Sequence, residues 1–272
     1  EVESEDHQIS LAEVQQVADD AQIGDTVVLD VTPDKEDFGR MAASTTKQVL
    51  AQKLRDQQRK MIQEEFADLE DPVLTARVIR FERQSVIMAV SSGIGRPEVK
   101  AELPKRDQLP NDNYRANATF KVFLKEVSEI SRKGPQLFVS RANAGLVVYL
   151  FENEVPEIQE ASVKIVAVSR EANPPSRAVG PRTKVAVDST EKEVDPVGAC
   201  IGARGARIQQ VVNELRGEKI DVIKWSPDPI QYILNSLSPA KVDLVRLVDP
   251  EGQHAHVLVP PDQLSLAIGR EG

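Results

Sequence analysis

A Gly-x-x-Gly turn, Gly202-Ala203-Arg204-Gly205, constrains the fold of this 272-residue chain more than any other stretch. It interrupts helical sequence between Asp195 and Leu215, and the apolar residues that follow it recur at the spacing of one helix face. Gly217 then ends the helix, and the segment from Lys219 to Trp225 alternates like a strand. The sequence therefore predicts the order helix, glycine turn, helix, strand.

The composition of this turn favours nucleic-acid binding. Glycines allow another backbone to approach closely, and the free N–H groups at the start of the second helix attract an anion. The unit resembles a KH domain, which clamps about four nucleotides of a single strand. An ordinary turn with glycine caps is the alternative, but the preceding isoleucine, the basic pair and the following strand favour the KH interpretation. The expected RNA contacts are Ile201, Gly202, Ala203, Arg204, Gly205 and Arg207. The bases are expected on an apolar floor made by Ile201, Ile208 and the edge strand near Ile220 and Val222.

Residues 143–226 supply the rest of this module. A helix from Ala144 to Asn153 and two strands, Val163 to Val168 and Lys184 to Val187, precede the turn. This is the element order of a prokaryotic-type (type II) KH domain. The Pro-rich, basic segment between the strands is expected to be a mobile loop. Arg182 and Lys184, at its end, are further candidate RNA contacts.

Residues 227–272 begin the same pattern again. A helix from Pro229 to Leu237, two short strands and a helix from about Pro261 lead to Ile-Gly-Arg-Glu-Gly at the end of the sequence. A repeat that ends on the same turn is stronger evidence than either copy alone. The second set of expected RNA contacts is Gly269, Arg270 and Gly272. Glu271 should weaken phosphate attraction here, and the supplied chain is expected to be a fragment or to have an incomplete last module.

Five short strands occupy residues 69–142 and predict a small OB-type barrel. They are expected at Val73–Glu82, Ser85–Val90, Glu98–Leu103, Ala118–Val127 and Gln136–Arg141. The stretch resembles the S1-type RNA-binding version of this barrel, particularly in the ending LFVSR. An aromatic ring or an arginine on such a face can stack on a base. The expected contacts are Arg80, Phe81 and Arg83, with Lys121 as a further exposed candidate, although Phe81 fits the core as well as the surface.

The excess negative charge of the chain, −9 in total, lies at its front. Residues 1–70 contain 17 acidic and 7 basic residues, whereas the remainder is nearly balanced. An acidic front suits a protein partner with basic patches, and a balanced remainder can still carry local basic surfaces. Residues 1–68 read as an incomplete α/β module with a short helix at Leu11, a strand at Thr26–Val31 and an acidic turn at Asp34–Asp37. A long helix is expected from about Gly39 to Phe66.

The arrangement as a whole resembles the NusA family of bacterial transcription termination/antitermination factors. The most specific stretches are Thr45–Phe66, Val155–Ile158, Asp195–Trp225 and Leu266–Gly272. The resemblance implies a non-catalytic factor whose front domain docks on RNA polymerase while the barrel and KH units hold nascent single-stranded RNA. It also implies other transcription elongation or antitermination factors as partners, and effects on pausing and hairpin-dependent termination. The chain departs from the family pattern at two places. It has Ala116-Asn117-Ala118 where the family usually has Pro-Gly-Asp, and it has an apparent insertion at Ala172–Val179.

The sequence thus predicts a multidomain α+β protein: a partial α/β module with a long helix, an OB (S1-type) barrel and two type II KH domains, the second truncated. The alternative function is a general KH/S1-type RNA-binding protein without polymerase contact. A nuclease would need a separate catalytic core, and a GTPase a Walker-type loop; neither is present in the sequence, and no cofactor is expected. His254 and His256 read as a chance surface pair, not a metal site. The lone Cys200 reads as a small buried residue in a reducing, cytoplasmic protein with no membrane span.

Overall fold

The computed structural model describes residues 10, 14, 22–24, 35–67, 69, 71–93, 95–128, 134–175, 179–249 and 254–269, without the side chains of residues 35–38 and 40. The helix expected at Leu11 and the strand expected at Thr26–Val31 lie outside these residues, as do Arg270 and Gly272. The chain divides into two compact units, residues 1–57 and 58–272. Among the described residues, no helix has the length and apolar character needed to cross a membrane.

Helix α1 spans Lys35–Ala67, 33 residues, and so begins four residues before the expected start at Gly39. The prediction of an acidic turn at Asp34–Asp37 is therefore wrong from Lys35 onward, where the chain is already helical. The physical reason is that the helix dipole favours acidic residues in a first helical turn. The apolar residues in the middle of the helix are more than half exposed: Val49, Leu50 and Leu54.

The C-terminal end of α1 packs on the barrel. Phe66 is 2% exposed and belongs to the barrel's apolar core, with Ile62 packed against that core. The Gln136 side-chain amide donates to the Arg59 carbonyl oxygen, and the Ser92 hydroxyl donates to the Glu65 carboxylate. The last two turns of α1 are therefore part of the barrel module.

The barrel is closed, in the strand order β1-β2-β3-β5-β4. Its strands are β1 (Val73–Glu82), β2 (Ser85–Val90), β3 (Val99–Leu103), β4 (Thr119–Val127) and β5 (Leu137–Ser140). Strands β3 and β5 pair in parallel, and the other pairs of this barrel are antiparallel. A closed sheet of five strands around an aliphatic core confirms the OB-type prediction.

The departure at Asn117 is compatible with the barrel. Asn117 adopts the left-handed conformation with φ 65°, which asparagine tolerates better than most residues. Its N–H donates to the Val78 carbonyl at 2.9 Å, and Arg77 donates to its side-chain oxygen at 3.3 Å. The turn before β4 therefore forms without the family's Pro-Gly-Asp.

The first KH module confirms the predicted type II order. Its elements are α2 (Ala144–Glu154), α3 (Pro156–Gln159), β6 (Val163–Glu171), β7 (Arg182–Ser189), α4 (Pro196–Ile201), α5 (Ala206–Glu214) and β8 (Lys219–Lys224). The sheet order is β6-β7-β8, with β7 and β8 parallel. Strand β6 runs three residues further than predicted, because Ser169, Arg170 and Glu171 pair with the start of β7. The segment from Ser169 to Arg182, expected to be a loop, is therefore strand at both ends.

The second KH module contains α6 (Pro229–Leu237), β9 (Leu244–Leu247), β10 (Ala255–Leu258) and α7 (Leu264–Ile268). Strands β9 and β10 form a two-stranded antiparallel sheet. Several apolar side chains of this module are about half exposed: Leu244, Val248, Leu258, Leu264, Leu266 and Ile268.

The barrel and the first KH module share a core. Val73 and Leu109, from the barrel segment, belong to the same buried cluster as the apolar residues of α2, β7 and α5. The Phe123 ring of β4 lies so close to the start of α2 that a Cβ on Gly145 would overlap with it. The fully buried Arg141 then joins the barrel loop residue Asp112 to Glu214 of α5. These contacts hold the two modules together.

Candidate nucleic-acid interface

The glycine turn lies between α4 and α5. Helix α4 begins at its N-cap Asp195, whose carboxylate accepts from the Val197 N–H at 3.1 Å, with Pro196 in its first turn. It ends at Gly202, where φ is 73° and ψ is 175°. Arg204 and Gly205 are also left-handed, with φ of 54° and 77°, and Gly205 is the N-cap of α5. Three residues with positive φ thus set the shape of this corner.

The two glycines are required for different reasons. A Cβ on Gly202 would lie 2.7 Å from Cγ of Arg207, so the backbone and this side chain are in direct contact. A Cβ on Gly205 would meet only Ile208, at 3.9 Å, so its need for glycine comes from its positive φ. Ala203 and Arg204 between them are exposed, and Arg204 has no ion-pair partner among the described residues. The corner is therefore open to solvent and presents one unpaired cation.

Arg207 points into the protein. Its Nη1 donates to the Glu157 carboxylate at 2.8 Å and to the Ala199 carbonyl oxygen at 2.7 Å. Burial would raise the pKa of Glu157, but hydrogen bonds from its own backbone N–H and from Arg207 outweigh this, and the net pKa is lowered. The pair is therefore intact at neutral pH and is lost only as the pH falls through that lowered pKa. A phosphate contact by Arg207 stays a prediction.

The expected apolar floor is only partly present. Ile201 and Ile208 are half-buried beside the turn. Ile220 is 9% exposed and lies in the module's core, so its predicted place under a base is wrong. Val222 packs against the same core. Residues two apart on a strand lie on the same face, and this face of β8 packs against the helices α4 and α5.

Arg182 and Lys184 lie on β7, away from the glycine turn in sequence, and both have protein partners. Arg182 pairs with Asp221 of β8 at 2.7 Å, with about half of its side chain exposed. Lys184 donates to the Ser236 carbonyl oxygen of α6. Their RNA contacts stay predictions, and Lys184 has a defined role between the two KH modules.

The barrel candidates surround the turn between β1 and β2. Phe81 is 58% exposed, so of its two interpretations the surface one is correct. Arg80 is exposed and donates to Glu82 of the same strand, and Arg83 occupies the turn with φ 53°. Lys121 lies instead beside the first KH module, 5.5 Å from the centre of the Tyr149 ring. It therefore belongs to the contact between modules.

The second copy of the turn begins with the same backbone geometry. Gly269 has φ 77° and ψ −167°, close to the values at Gly202, and is exposed. Arg270 and Gly272 lie outside the described residues. The repeat seen in the sequence is thus also a repeat of backbone conformation, as far as Gly269.

Cys200, His254 and His256 are the other side chains that the sequence analysis considers for reactivity or metal binding. Cys200 is buried, and burial is the main cause that raises its pKa to about 11, so it is a packing residue as predicted. His254 and His256 contact each other edge to face, with ring centres 5.2 Å apart. Within the described ranges, no group of three metal-binding side chains occurs.

Glu157 and Arg141 are the residues that sequence reasoning missed. Glu157 lies within Val155–Ile158, a stretch that carries the family resemblance, but its partner is 50 residues further along. Arg141 is the last residue of LFVSR, and nothing in the sequence near it indicates its partners Asp112 and Glu214.

Comparisons with known proteins give a consistent result. Family models match in three segments: the NusA N-terminal domain over residues 1–60, the NusA-like first KH domain over 141–225 and the NusA-like second KH domain over 229–272. Curated relatives named transcription termination/antitermination protein NusA are similar over nearly the whole chain. The Bacillus subtilis (strain 168) protein is 42% identical over 265 residues, which are 97% of this chain and 67% of the relative.

Two further relatives carry the same name. The Thermus thermophilus protein is 44% identical over 271 residues, 100% of this chain and 66% of the relative. The Mycobacterium tuberculosis (strain H37Rv) protein is 40% identical over 246 residues, 89% of this chain and 68% of the relative. The chain therefore spans about two thirds of the length of the curated relatives it matches.

Proposed function

Since the chain belongs to the NusA family of transcription termination/antitermination proteins, we propose that it binds RNA polymerase and holds nascent single-stranded RNA. The observation that carries the RNA part is the open glycine turn, with Arg204 exposed beside the first N–H groups of α5. The relatives' name favours this function over a general RNA-binding protein without polymerase contact. In this proposal the chain modulates pausing and termination in the bacterial cytoplasm by binding alone, and no catalytic step is required.

RNA crosses the first KH module at the turn. The N–H groups at the start of α5 and Arg204 face the phosphates, and the half-buried Ile201 and Ile208 lie beside the bases. The exposed Phe81, with Arg80 and Arg83, extends the contact on the barrel through stacking and charge. Each module alone binds weakly, and linkage of the sites raises the affinity. Arg182, Lys184, Gly269, Arg270 and Gly272 are the remaining proposed contacts.

Replacing both Gly202 and Gly205 with Asp should weaken binding of a single-stranded RNA by about tenfold or more, which corresponds to ~1.4 kcal/mol. Two carboxylates then occupy the position of the phosphates, and the backbone can no longer approach them. The measurement is fluorescence anisotropy with labelled RNA at several salt concentrations. Gly217→Asp is the matched control, because Gly217 is exposed, has φ 88° and follows the opposite end of α5. Equal affinities for the double variant and the wild type would count against the clamp.

The polymerase part of the proposal places the contact on the exposed middle of α1. Leu50 and Leu54 are 58% and 59% exposed, and exposed apolar residues in a cluster mark interaction surfaces. Replacing both with Glu should abolish most capture of purified bacterial RNA polymerase while RNA affinity stays unchanged. Gln57→Glu adds charge at an exposed polar position of the same helix and should have little effect. If the double variant captured polymerase as well as the wild type, the contact would have to lie elsewhere.

A further inference from the structure

One guanidinium group joins three elements around the glycine turn. Arg207 lies in the first turn of α5, and its Nη1 donates both to Glu157 of α3 and to the Ala199 carbonyl oxygen near the end of α4. The bonds are 2.8 Å and 2.7 Å long, typical of charge-assisted hydrogen bonds. The helix before the turn and the helix after it are thus connected through a side chain as well as through the backbone.

The aliphatic part of the same side chain covers Gly202. Cγ, Cδ and Cβ of Arg207 would lie 2.7, 2.9 and 3.1 Å from a Cβ at this position. The Arg207 and Glu157 side chains are 32% and 30% exposed, so solvent screens the ion pair less than it would a fully exposed one. The position of Gly202 therefore depends on where Glu157 holds the Arg207 side chain.

From these contacts we propose that Arg207, instead of contacting a phosphate as the sequence predicts, acts with Glu157 as a positioning residue for RNA binding. The two side chains hold the glycine turn in its binding conformation from inside the protein. Arg204, exposed and without an ion-pair partner among the described residues, is the cation of the turn that contacts the phosphate. This inference rests on the proposed RNA binding and specifies how the turn is prepared for it. Its ligand is the phosphate backbone of a single-stranded RNA.

Glu157→Gln separates this role from simple electrostatics. Removing a negative charge near bound RNA should leave the affinity unchanged or raise it if only charge matters. If Glu157 positions the turn, the same change should lower RNA affinity about three- to tenfold, because the ion pair that fixes Arg207 is lost. Glu160→Gln is the matched control: Glu160 follows the same short helix and is exposed, and it should not lower the affinity.

The two residues should also act as a unit. Arg207→Met should weaken binding by a similar factor, and the double variant should be no weaker than either single variant, since each already breaks the same contact. The dependence of log affinity on log salt should become shallower by about 0.7 for Arg204→Met, as expected for one lost phosphate contact on a single strand, and should be unchanged for Arg207→Met. A shallower slope for Arg207→Met together with full affinity for Glu157→Gln would overturn the inference.

Amide hydrogen exchange without RNA tests the positioning directly. Glu157→Gln and the milder Arg207→Lys should both increase exchange at residues 203–206, while the β6–β8 sheet keeps its protection. Unchanged exchange at the turn in both variants would refute the positioning role whether or not RNA binds. If RNA affinity did not depend on Gly202 and Gly205 but exchange increased as expected, the proposed RNA contact at the turn would fail, whereas the role of Arg207 and Glu157 in holding the turn would remain.

Discussion

Replacing Arg141 with Met should lower the free energy of unfolding by about 3–5 kcal/mol, the range for breaking a buried ion pair. The Arg141 side chain has no exposed surface and makes five hydrogen bonds. Two reach Asp112, at 2.9 and 3.2 Å; two reach the Glu214 side chain and carbonyl, at 3.0 and 2.9 Å; and one reaches the Lys121 carbonyl at 2.8 Å. Without the cation, the fully buried Asp112 carboxylate keeps the Tyr114 hydroxyl as a donor but loses both charge-assisted hydrogen bonds.

The electrostatics of this site agree with that expectation. Burial alone would lower the pKa of Arg141, but the hydrogen bonds and charges of Asp112 and Glu214 outweigh it and raise the pKa. Burial is also the main cause of the raised pKa of Tyr114, followed by the charge of Asp112. Arg141→Lys should recover little stability, because an ammonium group has three donors and cannot form the planar fork that these partners require.

The control is Arg216→Met at the rim of the same site. Arg216 lies 3.9 Å from Asp112, and 58% of its side chain is exposed, so its loss should cost less than about 1 kcal/mol. Urea denaturation followed by far-UV circular dichroism measures both variants. If the two substitutions cost the same, Arg141 would not be a main stabilising contact between the barrel and the first KH module.

The local sequence pattern is sufficient to predict the structure where residues close together in the chain determine it. Strands β1 and β2 have the predicted bounds because a tight turn at Arg83 joins two runs of strand-forming residues. The left-handed conformation of Asn117 likewise agrees with its residue type, since asparagine tolerates a left-handed turn. The internal repeat predicts the backbone conformation at Gly269 from that at Gly202.

Partners distant in sequence explain the rest. The side of the barrel wall on which the Phe81 ring lies depends on a bulge in β1 between Val78 and Arg80. Only the pairing of β1 with β2 reveals this bulge. Arg207 is predicted to contact a phosphate because it is basic and near the turn, but the sequence does not indicate that Glu157 binds it from another helix. Lys121 is predicted to be exposed because polar and apolar residues alternate along its strand, but Tyr149 of the first KH module lies beside it. Side-chain charge at a turn therefore indicates a candidate site, but not which partners its cations have within the protein.

Neutralising Glu218 should produce the second large loss of stability, again about 3–5 kcal/mol for Glu218→Gln. Its fully buried carboxylate accepts from Arg170 at 2.9 and 2.7 Å and from the Thr183 hydroxyl, while Arg170 also donates to the Asn143 carbonyl at 2.7 Å. These bonds connect the end of β6, the start of β7 and the beginning of α2. With Gln at 218, the Arg170 guanidinium, 1% exposed, is left without a counter-charge.

Asp221→Asn is the matched control for Glu218→Gln. Asp221 lies three residues after Glu218 and pairs with Arg182. Both side chains of this pair are substantially exposed, 31% for Asp221 and 52% for Arg182. An exposed pair contributes about 0–1 kcal/mol, so the control should remain close to wild type in the urea midpoint. Replacing Arg170 and Glu218 together with Met should recover most of the loss, because an apolar pair of similar volume leaves no buried charge unpaired. If the double variant were as unstable as Glu218→Gln, packing and not charge pairing would explain the loss.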